Sequence, residues 1–243
     1  MFSGVDTIAR TTIYYNTPFS HSCNERQKAK IIVAPYKGEM KYMCLDFETN
    51  GFPTKNAPRN EWPLPFHSYP IQVSIHSVDG DTGDVEEVYS TLIKGATQLA
   101  PWTIQNTPIK LSDLVDGKPF REVLEDMATL IQPGDVLVAH NAQFDLNTAV
   151  ARTAGRLGIQ GGAVQKILEA PRFCTYQCAY SKIVFGKRVN LQKLCDHFEV
   201  TLNNAHDARA DSKALAECVS EAIRRGVMIA TQNAIAEQTG TPT

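Results

Sequence analysis

The stretch Asp46-Phe47-Glu48-Thr49-Asn50-Gly51-Phe52-Pro53 decides the fold, because it lies where a β-rich run, Tyr42 to Phe47, breaks into turn formers. Strand side chains alternate between faces, so Asp46 and Glu48 point one way while Met43, Leu45 and Phe47 occupy the other. One face is apolar and the other ends in two carboxylates. Taken alone, a D-x-E pattern more often describes a solvated strand end than a site.

Working outward, Ile71 to Val78 and Val85 to Ile93 are further β-rich runs. The turn Asp79-Gly80-Asp81-Thr82-Gly83-Asp84 joins them as a hairpin, which completes a three-stranded meander. Gly95 to Gly117 reads as a loop. Pro119 to Ile131 then places Phe120, Val123, Leu124, Met127 and Leu130 at helical spacing and stops at Pro133-Gly134. A short buried strand, Val136 to Ala139, is followed by a helix from about Ala142 to Leu157. Next come a Gly-rich break over Gly158 to Gly162 and a short strand near Arg172 to Cys174. Three more helical stretches begin near Thr175, Asn190 and Asp207. Strands first and β-α units afterwards predict an α/β fold with a mixed sheet flanked by helices.

The flanks differ from this core. Residues 1–40 hold no sustained period and read as an N-terminal arm, and the tail after Gln232 is polar and aperiodic. Pro53 to Pro70, with Trp62 and Phe66, is a long Pro-rich insertion that either shapes a substrate entrance or packs as a cover.

A length of 243 residues allows one domain with trimmings or two small ones, and 43% hydrophobic residues suffice for a packed core. Twenty-four Lys and Arg against 26 Asp and Glu leave a net charge of −2, which excludes tight nucleic-acid binding by bulk phosphate neutralisation. No apolar run approaches the roughly 18 residues of a membrane span, and Met1 to Phe19 lacks the pattern of an export signal. The six cysteines include no C-x-x-C pair, so they read as reduced, packed thiols. Together these features predict an intracellular chain.

Two more acidic clusters accompany the first. In His140-Asn141-Ala142-Gln143-Phe144-Asp145, just after the buried strand, Asp145 lies at the edge of the following helix's inward face. Capping of the helix start is the plainer role for Asn141 and Asp145. In His206-Asp207-Ala208-Arg209-Ala210-Asp211, Asp211 falls on the apolar face with Leu215, Cys218, Val219 and Ala222. An unpaired carboxylate there costs several kcal/mol, so a cation or strong donor must neutralise it. Asp207 sits in the first turn, where the helix dipole favours it, and reads as structural. Four carboxylates converging at the ends of α/β elements repel one another unless divalent metal lies among them. Hard oxygen ligands favour Mg²⁺ or Mn²⁺, and two such ions suit phosphodiester hydrolysis.

In order and in type, D-F-E-T-N-G-F, H-N-A-Q-F-D and H-D-A-R-A-D resemble the three motifs of the DnaQ-like, or DEDDh, 3′-to-5′ exonucleases of the ribonuclease H-like superfamily. The resemblance spans about Lys41 to Arg225. It implies a ribonuclease H-like mixed five-stranded sheet, with an arm over 1–40, an exonuclease domain over 41–225 and a tail over 226–243. It also implies that Asp46, Glu48, Asp145 and Asp211 hold two Mg²⁺ or Mn²⁺ ions and that His206 is the general base. A neutral imidazole suits that task. His140 takes a supporting hydrogen-bonding role. Phe52 and Phe144 become candidates to stack on terminal bases, with ordinary core packing as the alternative. Thr49 and Asn141 become candidates to bind the terminal sugar or phosphate. Lys187, Arg188 and Arg209 are the basic residues available to backbone phosphates.

The implied activity is hydrolysis of single-stranded DNA or RNA from a free 3′ end to nucleoside 5′-monophosphates. Two rivals are a proofreading or RNA-trimming subunit that works only with a partner, and a nucleic-acid-binding module without hydrolysis. Some relatives pair into homodimers, which makes a homodimer a candidate assembly.

Overall fold

A computed structural model describes residues 40–52, 68–177 and 184–226. The N-terminal arm up to residue 39, the insertion over 53–67, the tail from 227, and 178–183, where most of the helix expected from Thr175 would run, lie outside the described residues.

The meander forms as its alternation predicts. Strands β1 (Lys41–Thr49), β2 (Pro70–Asp79) and β3 (Val85–Lys94) pair antiparallel in sequence. Leu45 lies opposite Ile75 and Glu48 opposite Gln72, and the register shifts between Glu48 and Thr49. The hairpin turn closes with the Gly83 N–H donating to the Asp79 carbonyl at 2.9 Å. The Asp79 side chain also accepts from the N–H groups of Asp81 and Thr82.

A two-residue strand β4 (Lys118–Pro119) pairs parallel to β3. It leads into helix α2 (Phe120–Leu130), then β5 (Val136–Ala139). A helix wound as π over Gln143–Arg152 and as α over Thr153–Arg156 follows, together α3. Strand β6 (Arg172–Cys174) comes later, after one further helix. Both β5 and β6 run parallel to β1, in the order β4-β3-β2-β1-β5-β6. The sheet therefore has six strands where the resemblance implies five. The extra one is a two-residue ladder, too short to leave any period in the sequence.

Two helices occupy stretches that read as loop or break. Within Gly95 to Gly117 lie α1 (Pro101–Asn106) and a 3₁₀ turn (Leu111–Asp116). Pro101 fixes φ for the first helical turn. Leu99, Ile109 and Leu114 pack with Ile71 as a small core of their own, which gives this excursion its purchase on the sheet. Helix α4 (Gly162–Glu169) begins inside the Gly-rich break, and Ile167 is its one buried side chain, so its apolar stripe is narrow. Helices α5 (Leu191–Phe198) and α6 (Ala208–Arg224) start where the sequence places them, with Asn190 and Asp207 as side-chain caps.

The two faces of β1 feed two cores. Met43, Leu45 and Phe47 pack with α2, α3 and Ile167 of α4. Cys44, on the face shared with Asp46 and Glu48, packs with Leu215, Cys218 and Val219 of α6 and with Leu194 and Phe198 of α5. Helix α6 thus crosses the face on which the two acids of β1 point. Among the described residues Cys44, Cys174, Cys195 and Cys218 are buried, and no helix is long and apolar enough to cross a membrane.

Candidate active site

The site forms at the carboxyl ends of β1 and β5, where the chain leaves the sheet. Asp46 and Glu48 come from β1, and Glu48 is 8% exposed. Asp145 enters from the first turn of α3, and one of its carboxylate oxygens accepts the Phe47 N–H at 3.1 Å, which ties the helix start to the strand. Asp211, 9% exposed on the first turn of α6, accepts the His206 N–H at 3.1 Å through Oδ2. Its other oxygen, Oδ1, is buried and has no hydrogen-bond partner among the described residues.

One ligand atom each from Glu48, His206 and Asp211 lie within 4.8 Å of one another. Burial raises all four carboxyls, and neighbouring acids add to it at Asp46, Glu48 and Asp211. Asp46 is held well above the carboxylate range by burial and then by the charges of Asp145, Glu48 and Asp211. Burial, with Asp211 and Asp145 nearby, pushes Glu48 up to about 8. Asp145 rises to about 8 through burial, against the opposing pull of the Phe47 N–H. Asp211 rises to about 6, again through burial and despite the His206 N–H. Such a cluster gains from a cation, since positive charge offsets both the desolvation and the repulsion. The orphaned Asp211 oxygen and the all-oxygen acid set fit Mg²⁺ or Mn²⁺.

The base candidate stands at the rim. His206 is exposed, and its backbone adopts φ 69°, a left-handed conformation costly for a residue with a Cβ. Beside it an aromatic row runs across the opening. The rings of Phe144 and Phe52 lie 5.9 Å apart, those of Phe52 and Trp102 5.0 Å, and those of Trp102 and His206 5.0 Å. Phe52 is 51% exposed, more than packing against the core requires, and Phe144 is half-buried.

The other expected residues divide. Thr49 is buried and its hydroxyl donates to the Gly51 carbonyl at 3.1 Å. Asn141 adopts φ 101°, with its carbonyl accepting the Phe144 N–H at 2.7 Å, so it shapes the turn into α3. His140 Nε2 donates to the Val189 carbonyl at 3.0 Å, which leaves Nδ1 to accept from the Thr175 hydroxyl at 2.8 Å. Burial lowers the His140 pKa to about 4, so the ring is a neutral strut. Lys187 and Arg188 are exposed in the segment before α5. Arg188 stacks over Tyr176 at 5.6 Å, and neither touches the acids among the described residues. Arg209 pairs with Glu87 at 2.5 Å rather than standing free for phosphate.

Two residues of the site's surroundings carry no mark in the sequence. Trp102 sits in a stretch that reads as loop, and only the Pro101 start signal hints at a helix there. Gln72, buried on β2 opposite Glu48, donates to Asp207 Oδ1 at 2.9 Å and accepts the Ala208 N–H at 3.1 Å, clamping the start of α6 to the sheet.

An exonuclease family model, RNase_T, matches residues 43–219. The chain is 26% identical over 186 residues to a PolC-type DNA polymerase III of Clostridium perfringens, covering 76% of this chain and 11% of that protein. It is 29% identical over 157 residues to the 3′-5′ exonuclease DinG of Staphylococcus epidermidis, covering 64% of this chain and 16% of that one. The chain thus spans between about a tenth and a sixth of the length of these relatives. Its fold is similar to the nuclease domain of 3′hExo, a DEDDh family member solved with rAMP bound. The TM-score is 0.63 at 14% identity, covering 80% of this chain and 96% of that one. With the three motifs gathered at one end of the sheet and the family match running through all of them, the chain belongs to the DnaQ-like (DEDDh) exonucleases of the ribonuclease H-like superfamily.

Proposed function

We propose that the chain hydrolyses single-stranded DNA or RNA from the 3′ end, releasing nucleoside 5′-monophosphates. The observation that carries this reading is the convergence of Glu48, Asp211 and His206 within 4.8 Å, beside a buried Asp211 oxygen that lacks a partner among the described residues. Asp46, Glu48, Asp145 and Asp211 would hold two Mg²⁺ or Mn²⁺ ions. When bound, these supply Lewis acidity and lower the pKa of water.

His206 acts as general base. Its exposure at the rim lets the imidazole take a proton from the attacking water and pass it to solvent. Phe52 and Phe144 stack on the terminal bases, which single strands present freely and duplexes do not. Thr49 and Asn141 shape the turns that meet the terminal sugar and phosphate, and Lys187 and Arg188 meet the backbone further along. The catalytic unit is 41–225, with 1–40 as an arm and 226–243 as a tail. Relatives far longer than this chain support the reading that it serves beside other modules or partners. A homodimer is a separate candidate assembly.

Matched DNA and RNA oligonucleotides labelled at the 5′ end test the reading. A ladder that shortens progressively from the 3′ end with Mg²⁺ or Mn²⁺, and is absent with EDTA, is expected. Release of the label as the first product, or binding without any cleavage, overturns it.

A further inference from the structure

His206 is exposed and strained, and among the described residues its imidazole makes no hydrogen bond. Its backbone N–H is tethered to Asp211 Oδ2, but this fixes the main chain and leaves the ring free to turn about its side-chain torsions. A general base needs its nitrogen held within hydrogen-bond reach of the proton it takes. The ring that touches it belongs to Trp102, edge to face, with centroids 5.0 Å apart and planes at 75°.

Trp102 is itself held firmly through α1. The Ala100 N–H donates to the Asn50 carbonyl at 2.8 Å, and the Asn50 side chain donates to the Gln98 carbonyl at 3.3 Å. The Thr103 hydroxyl, fully buried, donates to the Thr49 carbonyl at 3.3 Å. All three bonds end on, or one residue beyond, the strand that carries Asp46 and Glu48. The indole therefore keeps a fixed place relative to those acids. With 38% of its surface exposed, it lies outside the main cores and is not needed to fill them.

We propose that Trp102 is a positioning residue for His206, transmitting the rigid frame of β1 through α1 to the imidazole so that its nitrogen stays over Glu48 and Asp211. This rests on the exonuclease reading above. A role confined to gripping the substrate's base would act on binding, whereas positioning acts on turnover through His206 alone.

The test is a double-mutant cycle in the full chain, with kcat and KM measured on a single-stranded oligonucleotide with Mn²⁺. Trp102→Ala is expected to lower kcat about 10- to 100-fold, the scale of a misplaced catalytic group, with Trp102→Phe recovering most of it. In a His206→Ala background Trp102→Ala should cost nothing further in kcat. A second readout needs neither metal nor turnover. The His206 ring-proton NMR signal in the metal-free chain, shifted by the indole's ring current, should move to the position of a free histidine in Trp102→Ala. Equal kcat losses in both backgrounds, or a rise in KM with kcat unchanged, overturn the proposal. So does an unmoved His206 signal, whatever the activity. If the native chain cleaves nothing, the hydrolytic reading fails, and the NMR shift alone decides whether Trp102 holds His206.

Discussion

A carboxylate oxygen buried without a partner has to be neutralised by something, and among the described residues Asp211 Oδ1 is such an atom. That demand is legible in the order of residues itself, because Asp211 falls on the apolar stripe of its helix. His206 is not legible on physical grounds. Nothing in its neighbours' periodicity marks a base, and only the spacing of its motif does. Trp102 leaves no signal at all, since its significance lies in contacts across 50 and 104 positions of sequence with Phe52 and His206. At this scale His206→Ala should lower kcat by about 10² or more while Mn²⁺ affinity, measured calorimetrically, stays near native, because a base and not a ligand has been removed. A large fall in Mn²⁺ affinity would instead make the imidazole a ligand, a role its 4.8 Å approach to Glu48 and Asp211 also permits.

At the scale of elements, strands β1 to β3 and helix α6 are plain from alternation and from a long apolar stripe. The excursion holding α1, the narrow helix α4 and the two-residue strand β4 are not. Each depends on contacts distant in sequence, such as Leu99 and Leu114 packing with Ile71, that no local period records. The junction of β2 with α6 is of the same kind. The Gln72 side chain satisfies both Asp207 Oδ1 and the Ala208 N–H, one helical turn before Asp211. Replacing Gln72 with Leu leaves these two groups short of a partner and should cost about 1–3 kcal/mol in urea unfolding. It should lower kcat as well, because the helix start that aims Asp211 at Glu48 is loosened. Native stability in Gln72→Leu would show that the Asp207 cap, which also accepts the Arg209 N–H at 3.0 Å, holds the helix unaided.

At the scale of the whole molecule, the site stores electrostatic strain that shows in stability against pH. Glu48 ionises near 4.5 ordinarily, but in the fold burial and the neighbouring acids hold its proton to about 8. The folded chain therefore binds more protons than the unfolded one between these values, and this group's contribution falls as pH rises through that window. Glu48→Gln cannot ionise. Without metal it should be more stable than the native chain at about pH 8.5 by about 1 kcal/mol or more, with the gap closing by about pH 4.5. Thermal melts in EDTA across that range measure the difference, and a gap that is independent of pH would remove Glu48 from the strained set. Mn²⁺ should reverse the order at the alkaline end, because binding to the native state adds stability that the variant loses with one ligand. The most direct measurement is titration calorimetry with Mn²⁺ at about pH 8 on the native chain and on Asp211→Asn. The account predicts about two ions per native chain, bound with release of protons from the raised carboxyls, and markedly weaker binding in the variant. Binding to Asp211→Asn as tight as to the native chain, or no saturable binding to either, would contradict it.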